Sequence, residues 1–415
     1  MSHSLRLVIG VLWLAGCVLA GCAEVKTPEV PTAAAPAVSL AAGSGSMAAP
    51  PLGESRVNEA RAAFERAFGV RDGLGPLYNE ISCSRCHNRG GVGGSGIHAV
   101  TLAGKSENGA FDALIAQGGP HFASASVTLD QSEDERRAIP SCRLSREGEA
   151  LPETASVVAR RRTTALFGLG LVDATPDAVF IALAEDQAPQ IRGRAASVTN
   201  RVTKRPAVGK FGWKAQAPSL FQFAAQAARV ELGITNPLFP DEQAPLGDAS
   251  LLAGCDLVPG LEDDGTLLEQ LTAFMQRLEP VPPLEASPAA RAGDALFSHV
   301  GCDGCHVRSL RSGPHPIPAL SERQYHPYSD FLLHDMGALS DQIGGDGDAS
   351  PREMRTAPLW GGHLVLSPRL WHDGRAKSFD TAIRLHSGQA AASRDAFMAL
   401  ASHEREQLIA FVATL

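Results

Sequence analysis

One pentapeptide occurs twice in the chain, as Cys83-Ser84-Arg85-Cys86-His87 and as Cys302-Asp303-Gly304-Cys305-His306. Cys-x-x-Cys-His is an attachment site for c-type haem, because two thiols three residues apart can add to both vinyl groups of one porphyrin while the adjacent imidazole reaches its iron. The chain holds only 8 Cys and 13 His among 415 residues, too few for composition to generate the motif twice. Two other chemistries use similar pairs: a redox Cys-x-x-Cys, which needs no following His, and a zinc site, which needs a second pair nearby. The sequence therefore predicts two covalently bound haem c groups, with His87 and His306 as their first axial ligands.

Residues 1–22 read as an export signal. Arg6 precedes an apolar stretch that ends in Leu19-Ala20-Gly21-Cys22, the pattern of a bacterial lipoprotein cleavage site. Leu14-Ala15-Gly16-Cys17 is a second match with a shorter apolar core, so Cys22 is the preferred lipidated residue and Cys17 its rival. The stretch is too short and too rich in Gly to span a membrane, which takes about 20 apolar residues. The expected location is the bacterial cell envelope, lipid-anchored and facing the periplasm, and Ala23 rather than Asp after Cys22 favours the outer membrane. Residues 23–55, rich in Ala, Pro, Gly and Ser, read as a flexible tether. Export into an oxidising compartment leaves Cys142 and Cys255 either as a disulfide across a long loop or as two unrelated buried thiols. Net charge is -8 with no run of Lys or Arg long enough to track phosphates, which argues against nucleic acid as a partner.

The duplication extends beyond the haem motifs. An apolar helical face (Val57, Ala60, Phe64, Ala67, Phe68) leads towards the first motif, and a helix capped by Ser287 with Pro288 at its first position leads into the second. Arg162-Thr163-Thr164-Ala165-Leu166-Phe167-Gly168 follows the first motif, and Arg355-Thr356-Ala357-Pro358-Leu359-Trp360-Gly361 follows the second in the same register. Each half then closes on a similar helix: Glu269-Gln270-Leu271-Thr272-Ala273-Phe274, with a capping box from Thr266 and Glu269, and Glu406-Gln407-Leu408-Ile409-Ala410-Phe411, capped by Ser402. The predicted fold is mainly α, with two tandem cytochrome c-type domains, 56–280 and 285–415, joined by a Pro-rich linker. The first is enlarged by an insertion at about 189–263, within which Trp213 is either a core residue or a ring that relays electrons between the haems. Gly91-Val92-Gly93-Gly94-Ser95-Gly96 matches a dinucleotide fingerprint but follows a haem motif rather than a strand, so it reads as a loop at the haem edge.

The second face of each iron decides between electron transfer and chemistry. In the C-terminal half His386, on a helix beginning near Ser378, is the favoured second ligand, with His363, His372, Met336 and Met354 as rivals. The N-terminal half has no Met between Met47 and Met275, and its only local imidazoles are His98 and His121. This asymmetry predicts a reactive N-terminal haem and an electron-transfer C-terminal haem, with peroxide reduction as the chemistry and no acid that can be named. The other reading is a non-catalytic di-haem electron carrier.

Several stretches resemble a known family: Gly73-Leu74-Gly75-Pro76-Leu77-Tyr78-Asn79, Phe211-Gly212-Trp213-Lys214-Ala215, Gly233-Ile234-Thr235, Tyr328-Ser329-Asp330, Leu333-His334-Asp335-Met336-Gly337 and His372-Asp373-Gly374-Arg375. They look like the bacterial di-haem oxidoreductases, often labelled thiol oxidoreductases, which are similar in turn to di-haem cytochrome c peroxidases. The resemblance covers about residues 56–415. It implies two tandem, mainly helical cytochrome c domains in the bacterial envelope; the partners expected from the haem asymmetry are a small-molecule oxidant and a small redox protein or quinol-linked donor. His386 falls where the peroxidases place the distal ligand of their electron-transfer haem, although they have Met there. Those relatives often hold calcium between their domains, and no acidic loop in this sequence calls for one.

Overall fold

The computed structural model describes residues 54–129, 132–365 and 369–415. The export signal, Cys17, Cys22 and nearly all of the tether lie outside the described residues. All of the described chain belongs to one unit, Met47–Leu415. None of its helices is long and apolar enough to cross a membrane.

Each haem motif is framed by an opening and a closing helix. Glu54–Glu65 packs on Thr266–Met275, and Pro288–His299 packs on Ser402–Val412. The aromatic positions that the repeat singles out meet in both pairs: Phe64 stacks on Phe274 with ring centroids 4.3 Å apart, and Phe297 meets Phe411 edge-on at 5.4 Å. Such pairs add about 0.5–1.5 kcal/mol beyond their buried area. The second crossing is close because Gly293 faces the backbone of Gln407, where a Cβ would stand 1.9 Å from the carbonyl oxygen. Ser287 caps its helix as expected, accepting from the Ala290 N–H at 3.1 Å.

Two predicted caps differ. At the first closing helix Asp263 and Asp264 accept from the N–H groups of Leu267 and Thr266, so the capping box at Thr266 does not form. At the last helix Ala401 is the cap residue and Glu404 accepts its N–H, in place of Ser402. In both, a carboxylate takes the N-terminal N–H groups that a hydroxyl would otherwise hold.

Helix makes up 35% of the chain and strand 15%, more strand than a mainly α expectation carries. Most of it surrounds the first haem motif. Ala99–Glu107 pairs with Val157–Arg162, His121–Phe122 and Ala110–Asp112 in a four-stranded sheet. The halves do not have separate cores: the largest apolar cluster joins Phe64, Leu171, Phe180 and Phe274 to Leu310, Tyr325, Phe331 and Trp360. A second cluster surrounds the Cys142–Cys255 disulfide, which resolves the alternative left open by the sequence.

The stretch 189–263 is built into the body. It holds a loop closed by a bridge between Phe211 and Ala217, followed by the helix Leu220–Leu232. The C-terminal half repeats this unit: a loop closed between Leu370 and Ala376, then the helix Phe379–Arg384. Ala217 and Ala376 each stand two residues before a serine cap, Ser219 and Ser378, and each serine accepts from the third N–H of its helix. The two loops are exchanged between the halves. The Arg162 N–H donates to the His372 carbonyl at 2.6 Å, and the Arg355 N–H donates to the Trp213 carbonyl at 2.9 Å.

Candidate functional site

The first motif forms a one-turn helix, Cys83–Cys86, with His87 at its end. The His87 Nδ1 lies 3.1 Å from the carbonyl of Gly94. A carbonyl oxygen only accepts, so Nδ1 carries the hydrogen and Nε2 keeps its lone pair, the orientation in which ligating histidines are held. The glycine-rich stretch is thus a loop at the haem motif, as expected, and it fixes the imidazole. A Cβ on Gly96 would stand 1.9 Å from the Cys86 carbonyl, so the loop can close on the motif only without a side chain there. His306 repeats the arrangement, with Nδ1 2.9 Å from the Tyr328 carbonyl. Burial pushes both imidazoles down to about 4, so both are neutral and able to ligate at pH 7. Burial also pushes the Cys83 and Cys86 thiols up to about 12, the reverse of the low values that mark redox-active pairs.

His386 follows the Ser378-capped helix, and its Nδ1 donates to the Ala382 carbonyl at 2.8 Å. Its ring faces His306 with centroids 6.5 Å apart. Two imidazoles on opposite sides of one metal, each about 2 Å from it through nitrogen, have centroids about 6 Å apart. The second site is therefore spaced for one iron between His306 and His386. Of the rivals, His363 donates Nδ1 to the Leu415 carbonyl, Met354 sits across from His334 in the hairpin Leu333–Asp335/Glu353–Arg355, the Met336 carbonyl accepts the Ser387 hydroxyl, and His372 packs between Trp213 and Trp371; none of these contacts is with His306.

Beside Cys83, Cys86 and His87 lies a mainly apolar cavity, part of it open to solvent. Phe64, Leu271 and Met275 close one side, the helix Leu220–Leu232 another, and His121, Arg161, Arg162 and Trp213 line the rest. Counting from the equivalent serine caps, the position that holds His386 in the C-terminal half is Ala227 in the N-terminal half, and Ala227 lines this cavity. One helical turn on, on the same face, stands Glu231. Burial pushes its carboxyl up to about 7 against the opposing effects of His121 and Asn79, whose side-chain amide donates to Glu231 Oε2 at 3.1 Å.

The two local imidazoles differ. His98 is exposed at the rim, 3.6 Å from a Glu80 carboxylate oxygen. His121 is drawn in: its Nε2 is 3.3 Å from Asp346 Oδ1, and its buried Nδ1 has no hydrogen-bond partner among the described residues. Asp346 in turn pairs with Arg161, Arg161 Nε donates to Asp341 at 2.7 Å, and Lys214 Nζ meets the other Asp341 oxygen at 2.8 Å. This buried network ties the wall of the first cavity to the segment 341–346 of the other half. Sequence reasoning had no route to Glu231, whose role depends on which helix turn faces the cavity, or to ion pairs between residues so far apart in the chain. The structure also gathers Glu242, Asp256 and Glu262 within 4.8 Å of one another, although no acidic loop stood out in the sequence. Burial and the neighbouring Glu262 and Asp256 push Glu242 up to about 8, so it holds a proton at neutral pH.

Two thiol pairs, two neutral histidines held through Nδ1, a glycine loop cut to fit and a mainly apolar cavity suit a protein with two haems. The sequence model of the family described as "Di-haem oxidoreductase, putative peroxidase" matches residues 119–415, and the chain belongs to that family. It is a haem-dependent oxidoreductase at that level of description. No curated protein matches the chain. Among solved structures it is similar to hydrazine synthase of Kuenenia stuttgartiensis (14% identity over 88% of each chain, TM-score 0.38). It is also similar to the diheme peroxidase BthA of Burkholderia thailandensis (12% identity, 88% of this chain and 86% of that one, TM-score 0.40). A MauG-like protein associated with microbial copper homeostasis matches at 14% identity over 60% of this chain and 89% of that one, with a TM-score of 0.31.

Proposed function

We propose that the two haems are attached through Cys83/Cys86 and Cys302/Cys305, that the N-terminal site reduces a small oxidant of the peroxide type, and that the C-terminal site supplies the electrons. One observation carries this reading: equivalent helices place His386 against His306 and Ala227 in the cavity beside His87. His306 and His386 would hold one haem iron between them, which suits electron transfer. The cavity beside His87 is lined by Ala227 where the other half has His386, and a methyl group there leaves room for a small molecule. On this reading each half is a cytochrome c-type unit, the two interlocked rather than strung in tandem.

Haem supplies redox-active iron, and the chain supplies the rest. Glu231, its carboxyl raised to about 7 by burial, can carry a proton on Oε1 while Asn79 donates to Oε2, and can release that proton into the cavity. His121, held through Nε2 by Asp346, lines the same space, and its Nδ1 has no hydrogen-bond partner among the described residues. Phe64, Leu271 and Met275 keep water from the His87 side of the cavity. We further propose that the chain is a lipoprotein anchored through Cys22 in the cell envelope, facing the periplasm and served by a small redox protein or a quinol-linked donor. The signal at residues 1–22 and the tether support this location.

Electron paramagnetic resonance of the oxidised and half-reduced protein tests the assignment. One low-spin haem and one haem that binds cyanide are expected, and Ala227→His should convert the second to a low-spin species that no longer binds cyanide. Two low-spin haems in both states, neither binding cyanide, would sink the enzyme reading and leave an electron carrier. For the anchor, Cys22→Ala should abolish incorporation of labelled palmitate; continued labelling would reject Cys22.

A further inference from the structure

Two adjacent arginines have opposite surroundings. Arg161 and Arg162 end the strand Val157–Arg162, both are buried, at 4% and 9% exposed, and both line the N-terminal cavity. Arg161 is met by two carboxylates, Asp341 and Asp346. Arg162 is met by none: its Nη2 donates to the Gly96 carbonyl at 2.8 Å, and its buried Nε has no hydrogen-bond partner among the described residues. A buried charge is costly unless it is paired. The counterpart in the other half, Arg355, donates through Nε to the Gly212 carbonyl and lies over the Phe331 ring with Asp330 nearby, so its charge is answered where that of Arg162 is not.

The surroundings of Arg162 add positive charge instead of removing it. A Cβ on Gly374 would stand 2.7 Å from Arg162 Cδ, 3.4 Å from its Nε and 3.2 Å from Arg369 Cβ, so Arg369, from the C-terminal half, starts beside the unpartnered Nε. Arg89, two residues after His87, belongs to the loop that Arg162 holds: it bridges to Ser95, and Gly96 is the acceptor of Arg162 Nη2. Burial pushes the Arg162 guanidinium down from its usual value, Arg89 and Arg369 push it further, and only Asp373 opposes them. Asp373 is already engaged, accepting from Arg375 Nε at 2.6 Å. Neither Arg89 nor Arg369 forms an ion pair among the described residues.

We propose that Arg162, flanked by Arg89 and Arg369, is a seat for a carboxylate on the wall of the N-terminal cavity. The guanidinium groups gather where the halves meet, the central one is buried with an unused N–H, and a planar fork of donors matches a carboxylate in both shape and charge. Two sources can bring that group into the cavity. One is a propionate of a haem attached at Cys83 and Cys86; the other is a small free carboxylate that enters as substrate or effector. The inference rests on the proposed haem attachment for the first source and stands without it for the second. The seat makes and breaks no covalent bond: it orients what it holds beside His87 and keeps it ionised. Because Arg369 comes from the C-terminal half, the seat is complete only where both halves are present.

The test uses the di-haem protein with the variants Arg162→Gln and Arg369→Gln. Arg369 is exposed, so its replacement should leave the fold in place, and it decides the matter should Arg162→Gln load haem poorly. Two readouts separate the sources: the haem propionate bending bands of the resonance Raman spectrum, and acetate binding by isothermal titration calorimetry at constant ionic strength. A propionate in the seat predicts that a bending band shifts in both variants while the iron-ligand bands stay put, and that wild type takes up no acetate. A free carboxylate predicts unchanged Raman bands and saturable acetate binding that weakens at least about tenfold in each variant, with chloride giving no heat. A spectrum without a band shift, together with no acetate binding or binding that the variants leave within about twofold, overturns the seat. The pyridine haemochrome count reports separately on attachment: fewer than two haems per chain in wild type rejects that reading, and acetate binding alone then decides the seat.

Discussion

Replacing Asp341 with Asn is the sharpest perturbation of the contact between the halves. Asp341 is buried and accepts from Arg161 Nε at 2.7 Å, Lys214 Nζ at 2.8 Å and the Ile343 N–H at 3.0 Å. Two cations, Arg161 and Lys214, face two carboxylates, Asp341 and Asp346, in a region that water does not reach. Asn keeps the shape and removes one negative charge. Arg161 retains Asp346, but Lys214, with 0% of its side chain exposed, is left with the carbonyls of Ser350, Pro351 and Glu353. Breaking one side of a buried pair costs about 3–5 kcal/mol, chiefly through the charge left behind. At roughly 2 °C per kcal/mol for a chain of this size, Tm should fall by about 6–10 °C in a calorimetric scan. Adding Lys214→Met removes the stranded charge and should recover much of the loss, a coupling that a double-mutant cycle measures. Burial alone would raise the Asp341 pKa, but Arg161 and Lys214 outweigh burial and hold it below the usual carboxylate range. Its contribution is therefore present above the unfolded value and lost as pH falls through the folded one, so the gap between wild type and variant should close in acid. A Tm drop under about 2 °C, or a double variant no more stable than Asp341→Asn, would refute the reasoning.

Three further outcomes follow from the sites. His386→Ala should convert one low-spin haem to high-spin in the electron paramagnetic resonance spectrum, and an unchanged spectrum removes His386 from the ligand pair. If Glu231 donates a proton with a pKa of about 7, turnover of peroxide should decline as pH rises through 7; Glu231→Gln should lose that limb and about 10²–10⁴-fold in rate, and a retained limb clears Glu231 of the role. Replacing Cys142 and Cys255 with Ser opens a loop closed over a sequence separation of 113, which should cost about 4–5 kcal/mol in denaturant unfolding; a loss under about 1 kcal/mol would mean that the unfolded chain is compact without the bridge.

What could be read from the sequence was what repeats at short range. The doubled pentapeptide, the opening and closing helices and the Arg-Thr repeat each lie within a few residues, so spacing alone exposes them. Phe64 with Phe274 and Phe297 with Phe411 then meet as that register requires. His386 was legible for the same reason: it stands one helix after a recognisable serine cap. Ala227 was not, because a missing ligand leaves no mark until two helices are superposed cap on cap, and the helix that carries it lay in a stretch that looked surplus. Glu231, Asp346 and Asp341 acquire meaning only through partners far away in the chain. The strands escaped for a different reason. Val157 to Arg162 ends in three consecutive arginines, of which Arg161 and Arg162 turn inward to carboxylates and carbonyls that no local pattern reveals.

The exchange of loops through Arg162 and Arg355 has an evolutionary consequence. Each arginine seats a segment that belongs to the other copy, so neither copy retains a complete site once its sister is removed. A duplication wired in this way can no longer be undone by deleting one half, because a change at either arginine is felt first in the loop of the opposite half. The halves were free to diverge at the position eight residues after each serine cap, His386 in one and Ala227 in the other, because the framework that holds them had ceased to be separable.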